Sequence, residues 1–91
     1  MTIKEIAHQL ELNPRELEKE SVRIYLTQRL HHVETEVFRI GLKHGVKNIW
    51  EMDRLIKKGK IHENNSWEDF FILDSLEAER NKIKSLLSKL K

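Results

Sequence analysis

The residue types that most often bind metals or carry out acid–base chemistry occur in this 91-residue sequence without the spacing that such sites require. Its five histidines include no pair at i, i+4 and no H-E-x-x-H motif, the arrangement that places two imidazoles on one helix face. Cysteine is absent, which excludes a thiolate metal site, a disulfide and a cysteine nucleophile. We therefore predict no metal, no cofactor and no catalytic residue, and we interpret His44 as a cation that stabilises a helix C-terminus.

One pair of residues has the chemistry to act on a phosphodiester. Arg39 and His44 form an R-x-x-x-x-H pattern, in which the arginine would stabilise a phosphorane and the histidine would transfer protons. This spacing resembles the motif of the HEPN ribonucleases, which are helical proteins. The resemblance implies RNA cleavage. This is the third candidate function, after the binding of a protein partner and the binding of DNA, which are described in the next two paragraphs.

The aromatic residues are unevenly distributed along the chain. Four of the six lie between positions 50 and 71: Trp50, Trp67, Phe70 and Phe71. A chain of this length has a shallow core, and tryptophan is enriched at the energetic centres of protein interfaces. We therefore predict that these four residues bind a protein partner, with packing inside the core as the alternative.

The first twenty residues carry the pattern of a DNA-binding segment. The apolar residues expected to be buried there are Ile6, Ala7, Leu10, Leu12 and Leu17. Their arrangement, a short helix, a turn and the start of a second helix, resembles a helix-turn-helix. The resemblance implies DNA binding as an alternative function, and the cations that would contact phosphates are Arg15, Lys19 and Arg23.

Sparse helix-ending signals predict about four helices. Asn13-Pro14 suits an N-cap followed by proline at the first helical position, and Lys43-His44-Gly45 is typical of a helix C-terminus. We predict a short helix over residues 3–10, a long central helix over 14–44, a short helix over 48–58 and a C-terminal helix over 66–90. Asn48 with Glu51 predicts a capping box, and Ser66 with Asp69 predicts a similar cap. Residues 1–91 are thus expected to form one small all-α helical bundle.

The long helix is apolar on two faces. The face expected to be buried consists of Val22, Leu26, Leu30, Val33, Val37 and Ile40. A second face consists of Leu17, Ile24, Phe38 and Leu42. A helix over residues 14–44 would be about 45 Å long, which exceeds the diameter of a compact domain of this size. We therefore predict a homodimer, or a second helical neighbour, on the second face.

Composition limits the remaining classes of function. Charged residues make up 35% of the chain, and no long apolar run or basic-then-apolar leader is present, so we expect no membrane span, no secretory signal and a cytoplasmic location. Three glycines leave little for a phosphate-binding loop. A net charge of +2 does not by itself indicate nucleic acid.

Most of the chain resembles one known group of proteins. The stretches that carry the resemblance are KHGV at residues 43–46, IWEM at residues 49–52 and SWEDFFILDSLE at residues 66–77. From about residue 22 to residue 90 the sequence is similar to small helical antitoxin-like proteins of archaea and bacteria, whose genes often lie beside a PIN-domain ribonuclease toxin. The resemblance implies a non-catalytic protein that binds a cognate toxin, a role that can coexist with DNA binding.

Overall fold

The computed structural model describes the backbone of residues 1–59 and 64–90 and the side chains of residues 1–59 and 67–90. Within these residues the chain forms no strand and four helices: α1 (Ile3–Gln9), α2 (Pro14–His44), α3 (Ile49–Lys57) and α4 (Asn64–Lys89). The predicted all-α class with one long central helix is confirmed. Because only a short turn separates α1 from α2, the two can also be counted as one bent segment, which leaves three helices.

The helix starts follow the predicted capping signals. Asn13 Oδ1 accepts hydrogen bonds from the N–H groups of the two residues after Pro14, at 2.9 and 3.2 Å. Asn48 Oδ1 accepts from the N–H of Glu51 at 3.0 Å. The Glu51 carboxylate accepts in turn from the N–H of Lys47, at 2.9 Å, so the second half of the box reaches one residue further back than predicted.

The end of α2 depends on two glycines. Gly45 has a φ of 67°, in the left-handed region that glycine adopts without a Cβ clash. The chain then turns back over α2, and the Val46 N–H donates to the Gly41 carbonyl at 2.9 Å. A Cβ atom at position 41 would lie 2.5 Å from the Val46 carbonyl oxygen. Glycine at position 41 therefore allows the close approach that brings Val46 into the core.

The core lies between α2 and α4, which run antiparallel, with α3 packed against α4. Residues near the end of α2 pair with residues near the start of α4, and Arg29 forms a two-point ion pair with Glu79 further along, at 2.5 and 2.9 Å. The buried residues of this core cluster are Val33, Val37, Ile40, Val46, Met52, Leu73 and Ile83. The predicted apolar stripes of α2, α3 and α4 supply most of this cluster.

Burial at the N-terminal end is smaller than predicted. Ala7 is fully buried, but Ile6, Leu10 and Leu12, which the helix-turn-helix resemblance predicts to be buried, are exposed. Val22, at the start of the predicted buried stripe of α2, is exposed as well. The reason is geometric: α1 has seven residues and packs mainly on α2, and one short helix on another covers only a narrow strip.

The molecule is elongated, with extents of 60 × 23 × 16 Å and a radius of gyration of 18.8 Å. A compact chain of this length would have a radius of gyration of about 12 Å. The length comes from α2 and from α1, which extends the structure beyond the helical pair. In the part of the chain that is described, no helix combines the length and apolar character needed to cross a membrane.

Two predictions fall on parts of the chain that are not described. Ile61, predicted to return from the loop at residues 60–65 to the core, lies outside the described residues. The predicted cap of α4 rests on the Ser66 side chain, which also lies outside the described side chains.

We expect the α2–α4 contact to account for most of the stability. Leu73→Ala should lower the free energy of unfolding by about 2–5 kcal/mol, because Leu73 is 1% exposed and its loss leaves a cavity. Leu86→Ala is a matched control on the same helix, 45% exposed, and should cost about 0.5 kcal/mol. Urea denaturation followed by circular dichroism measures both, and equal losses would contradict the described packing.

Candidate functional site

The four predicted aromatic residues occupy different environments. Trp67 and Phe71 lie four residues apart, on one face of the first turns of α4, and are 53% and 64% exposed. Phe70 is half-buried and packs against the core, which is the alternative that the sequence left open for these residues, and its contact with a partner stays a prediction. Trp50 is exposed on α3. The described structure thus has an exposed aromatic pair on α4 and a separate tryptophan on α3.

Phe70 joins the two exposed rings of α4. The Trp67 and Phe70 rings meet edge to face, with centroids 6.2 Å apart and planes at 72°. Phe70 and Phe71 meet in the same way at 5.6 Å and 78°. Edge-to-face pairs of this kind contribute about 0.5–1.5 kcal/mol beyond the burial of their area. Because Phe70 is held by the core, both exposed rings have a fixed neighbour.

A shallow depression of about 420 Å³ lies beside Phe71. Its other lining residues are Glu68, Ile72, Ser75 and Leu76. Apolar side chains form most of the depression, and a carboxylate and a hydroxyl stand at its edge. This arrangement suits an apolar side chain of another molecule, oriented by one or two polar contacts.

An ion-pair cluster fixes the aromatic pair relative to α2. His44 Nε2 lies 2.7 Å from Asp69 Oδ2, and Lys43 Nζ lies 2.9 Å from the same oxygen. The His44 side chain is buried, although the sequence predicts a histidine that only stabilises the helix C-terminus. Asp69 follows Trp67 by two residues, so this cluster joins the last turn of α2 to the segment of α4 that carries the aromatic rings.

The ionised form of Asp69 is favoured by its surroundings. Burial by itself raises the pKa of Asp69. Hydrogen bonds from His44 and Lys43, together with the charges of these two side chains, lower the pKa by more than burial raises it, so that it falls below its ordinary value of 3.8. A carboxyl group whose pKa is lowered by folding stabilises the folded state above its unfolded pKa. That contribution is lost as the pH falls through the folded-state pKa.

The position of Trp50 follows from the contacts that neighbouring residues of α3 make with the rest of the structure. The Glu77 carboxylate of α4 accepts a hydrogen bond from the N–H of Ile49 at 2.7 Å, at the half-buried start of α3. Met52, two residues after Trp50, is fully buried. These contacts fix the rotation of the short helix, and the opposite side, which carries Trp50, faces solvent.

The cations of the predicted DNA-binding segment lie near the start of α2. Arg15 is exposed, whereas Lys19 and Arg23 are half-buried. Arg23 Nε lies 3.4 Å from Glu20 Oε1, one turn away on the same helix. The structure therefore presents Arg15 freely to solvent and pairs Arg23 with an acid of its own helix.

The two residues of the ribonuclease-like pattern have different partners. Arg39 forms hydrogen bonds with Glu36 at 2.8 and 3.1 Å and is largely exposed, whereas His44 is buried against Asp69. Hydrogen bonding to Glu36 raises the pKa of Arg39. The described residues also contain no group of three or more histidine, aspartate or glutamate side chains placed to hold a metal ion.

Sequence reasoning missed the pairing of His44 with Asp69. A signal for it exists, because His44 lies in the last turn of one long helix and Asp69 near the start of the next. Two long helices joined by a short helical connection pack antiparallel, which brings these two ends together. The residue types of His44 and Asp69 alone do not show that the two side chains meet.

The fold and the site define a small all-α protein, built on an antiparallel helix pair with an exposed aromatic pair at one end. The chain belongs to the family described as Uncharacterized protein MJ0235 family, whose model matches residues 1–91. No curated protein and no solved structure matches the chain.

We expect Asp69 to stabilise the fold in a pH-dependent way. Asp69→Asn should lower the free energy of unfolding at pH 7 by about 1 kcal/mol, because it removes the charge that His44 and Lys43 contact. The difference from the unmodified protein should shrink as the pH falls through the lowered pKa of Asp69, where the carboxylate takes up a proton. Urea denaturation at a series of decreasing pH values measures this effect.

The matched control for this experiment is Glu68→Gln. Glu68 is the exposed neighbour of Asp69 and carries the same charge in the same turn of α4. It should change stability by about 0.5 kcal/mol or less. A loss that is equal for the two variants, or independent of pH, would show that the His44–Asp69 contact does not stabilise the fold.

Proposed function

We propose that this chain is a non-catalytic helical interaction protein that binds a protein partner through the aromatic surface of Trp67 and Phe71, with Trp50 as a further contact. The observation that carries the proposal is that Trp67 and Phe71 are more than half exposed although Phe70 holds both rings in place. Exposed aromatic side chains gain free energy when a partner covers them. Rings that are already held lose little conformational freedom on binding.

The resemblance to antitoxin-like proteins supports a cognate toxin as the partner. Its key stretch, residues 66–77, contains both exposed rings of α4 and the depression beside Phe71. A protein of the PIN ribonuclease type, encoded by a neighbouring gene, is the first partner to test. An antitoxin-like role and a cytoplasmic location are parts of this proposal.

We expect Trp67→Ala and Phe71→Ala each to weaken binding to the protein encoded by the adjacent gene by about 30-fold or more, the effect of removing an interface hot spot. Isothermal titration calorimetry with the purified pair measures the affinity. Circular dichroism of each variant reports whether the helices are intact.

Tyr25→Ala is the matched control, because Tyr25 is a similarly exposed aromatic residue in the middle of α2. It should leave the affinity unchanged. Unchanged binding by both α4 variants would overturn the proposed surface. Loss of helical structure in Trp67→Ala and Phe71→Ala would show that these rings stabilise the fold, and would equally contradict the proposal.

DNA binding through the N-terminal segment is a second candidate function. The observation that favours it is the turn between α1 and α2, where Glu11 has a φ of 59° and the Leu12 N–H donates to the Ala7 carbonyl at 2.8 Å. A short helix joined by a tight turn to the start of a second helix is the arrangement that the resemblance to a helix-turn-helix implies. Arg15, at the exposed start of α2, is the cation best placed to contact a phosphate.

We expect a DNA complex of this kind to weaken steeply with salt. Three phosphate contacts correspond to a slope of about −2.7 in the logarithm of the binding constant against the logarithm of salt concentration. Arg15→Ala should make that slope shallower by about 1, whereas Lys57→Ala, an exposed lysine on α3, should not. Fluorescence anisotropy with a labelled duplex measures both slopes, and a flat salt response would argue against this function.

A further inference from the structure

The charges of α4 are segregated along its length. Among the described side chains of this helix, all five acids lie at or before Glu79, and all four cations lie at or after Arg80. Three of these cations are exposed: Lys82, Lys84 and Lys89. The dipole of a helix favours cations only within about its last turn. It therefore accounts for Lys89, but not for Lys82 and Lys84, which lie further from the end of α4.

The start of α2 lies beside this end of α4. Arg15 and Lys19 of α2 line a depression of about 310 Å³ together with Leu90, the residue that follows α4. Glu18 and Val22 complete the lining of this depression. The antiparallel packing of α2 and α4 thus brings two segments from opposite ends of the sequence to one end of the molecule.

Cations occupy the side of α2 that faces α4 in this region. Lys19 and Arg23 precede Leu26 and Leu30 on the same helix face, and all four side chains are half-buried. The stripe that is apolar further along α2 is therefore cationic near its start. The Arg23 Nε atom lies 3.4 Å from Glu20 Oε1, but it is buried and has no hydrogen-bond partner among the described residues. One donor of this cationic stripe is thus unsatisfied.

The balance of charge differs between the two ends of the molecule. The end formed by residues 1–26 and 80–90 contains eight lysine and arginine residues and five glutamates, and we call it the basic end. The other described side chains, residues 27–59 and 67–79, contain seven lysine and arginine residues and nine acids. The glutamates of the basic end all precede residue 21, so its excess of positive charge comes from α4.

The exposed side of α4 at the basic end has the composition of a surface that binds phosphate. Lys82, Ser85 and Lys89 share one helix face, with Asn81 beside them, and all four are exposed. Lysine, serine and asparagine side chains make many of the phosphate contacts in protein–DNA complexes. Lys82 and Lys89 are about 10 Å apart along the helix axis, which corresponds to about three nucleotides of one DNA strand.

Double-stranded DNA suits the basic end better than a single strand. A duplex carries one negative charge per about 1.7 Å of its axis, so that it can contact cations on two neighbouring helices at once. Proteins that bind single strands stack successive bases on aromatic side chains. Tyr25 is the one tryptophan, tyrosine or phenylalanine residue within residues 1–26 and 80–90. The basic end therefore offers charge rather than a stacking platform.

We propose that the basic end binds the phosphate backbone of duplex DNA through α4 as well as α2, with Lys82, Lys84 and Lys89 adding contacts to that of Arg15. This inference rests on the DNA-binding candidate described above and extends its surface to a second helix. Contacts to phosphate carry no sequence information, so α4 adds affinity for any duplex. No residue of the aromatic surface takes part, and the binding of a protein partner is tested separately.

The test is the salt dependence of binding to a labelled duplex of about 20 base pairs and arbitrary sequence, measured by fluorescence anisotropy. Replacing Lys82→Ala, Lys84→Ala and Lys89→Ala together should make the slope of the logarithm of the binding constant against the logarithm of salt concentration shallower by about 3. At about 50 mM salt the same variant should bind at least about tenfold more weakly. Lys82→Arg, Lys84→Arg and Lys89→Arg together keep the charges and should bind as the unmodified protein does.

The matched control removes three exposed cations from α3, outside the basic end. These substitutions, made together, are Arg54→Ala, Lys57→Ala and Lys58→Ala. They change the net charge by the same amount as the alanine variant of α4, and the slope should change by less than about 1. Circular dichroism confirms that each variant keeps its helices.

The outcomes separate this inference from the N-terminal candidate. A slope that Arg15→Ala makes shallower, and that the alanine variant of α4 leaves unchanged, would overturn the inference and leave the N-terminal candidate standing. A shallower slope in the α4 variant alone would support the α4 contacts and contradict the N-terminal candidate. Absence of duplex binding by the unmodified protein at about 50 mM salt would overturn both.

Two further results would contradict binding of DNA by α4. Equal losses in the α3 and α4 alanine variants would show a response to net charge and not to a local surface. Binding to vesicles that contain phosphatidylserine, without binding to the duplex, would assign the basic end to an anionic membrane surface.

Discussion

The antiparallel contact between α2 and α4 is the constraint on which the rest of this structure depends. Two helices side by side bury one face each, and among the described residues further cover comes from two short helices and from Val46. The core is therefore small: it lies along the second half of α2 and is completed by Val46, by Met52 of α3 and by Leu73 and Ile83 of α4. Apolar residues on the other faces of α2 and α4, such as Phe38, Leu42 and Phe71, are exposed among the described residues.

Polar contacts determine how the ends of this pair are arranged. The buried His44 side chain meets Asp69, which brings the end of α2 to the start of α4, and Glu77 receives the first N–H of α3. Ion pairs of this kind contribute little to overall stability when solvent reaches them, but they determine which helix turns are neighbours. The aromatic pair lies next to Asp69, so the cluster that joins the helices also orients the proposed binding surface.

Two apolar surfaces remain outside the core, and they differ in character. The pair on α4 is compact and aromatic and lies beside a shallow depression, which suits the side chains of a different protein. The outer face of α2 is longer and carries the exposed side chains of Ile24, Phe38 and Leu42.

The sequence by itself determined the helices and their ends. Asn13, Asn48 and Gly45 act through hydrogen bonds and backbone conformations within a few residues, and such local interactions can be read from neighbouring letters. Only the tertiary structure decided that Phe70 is anchored in the core while Trp67 and Phe71 are exposed, that Ile6 and Leu10 stay in water, and that His44 meets Asp69. The reason is that burial depends on which faces of separate elements meet, and residues far apart in the chain carry no local signal of that meeting.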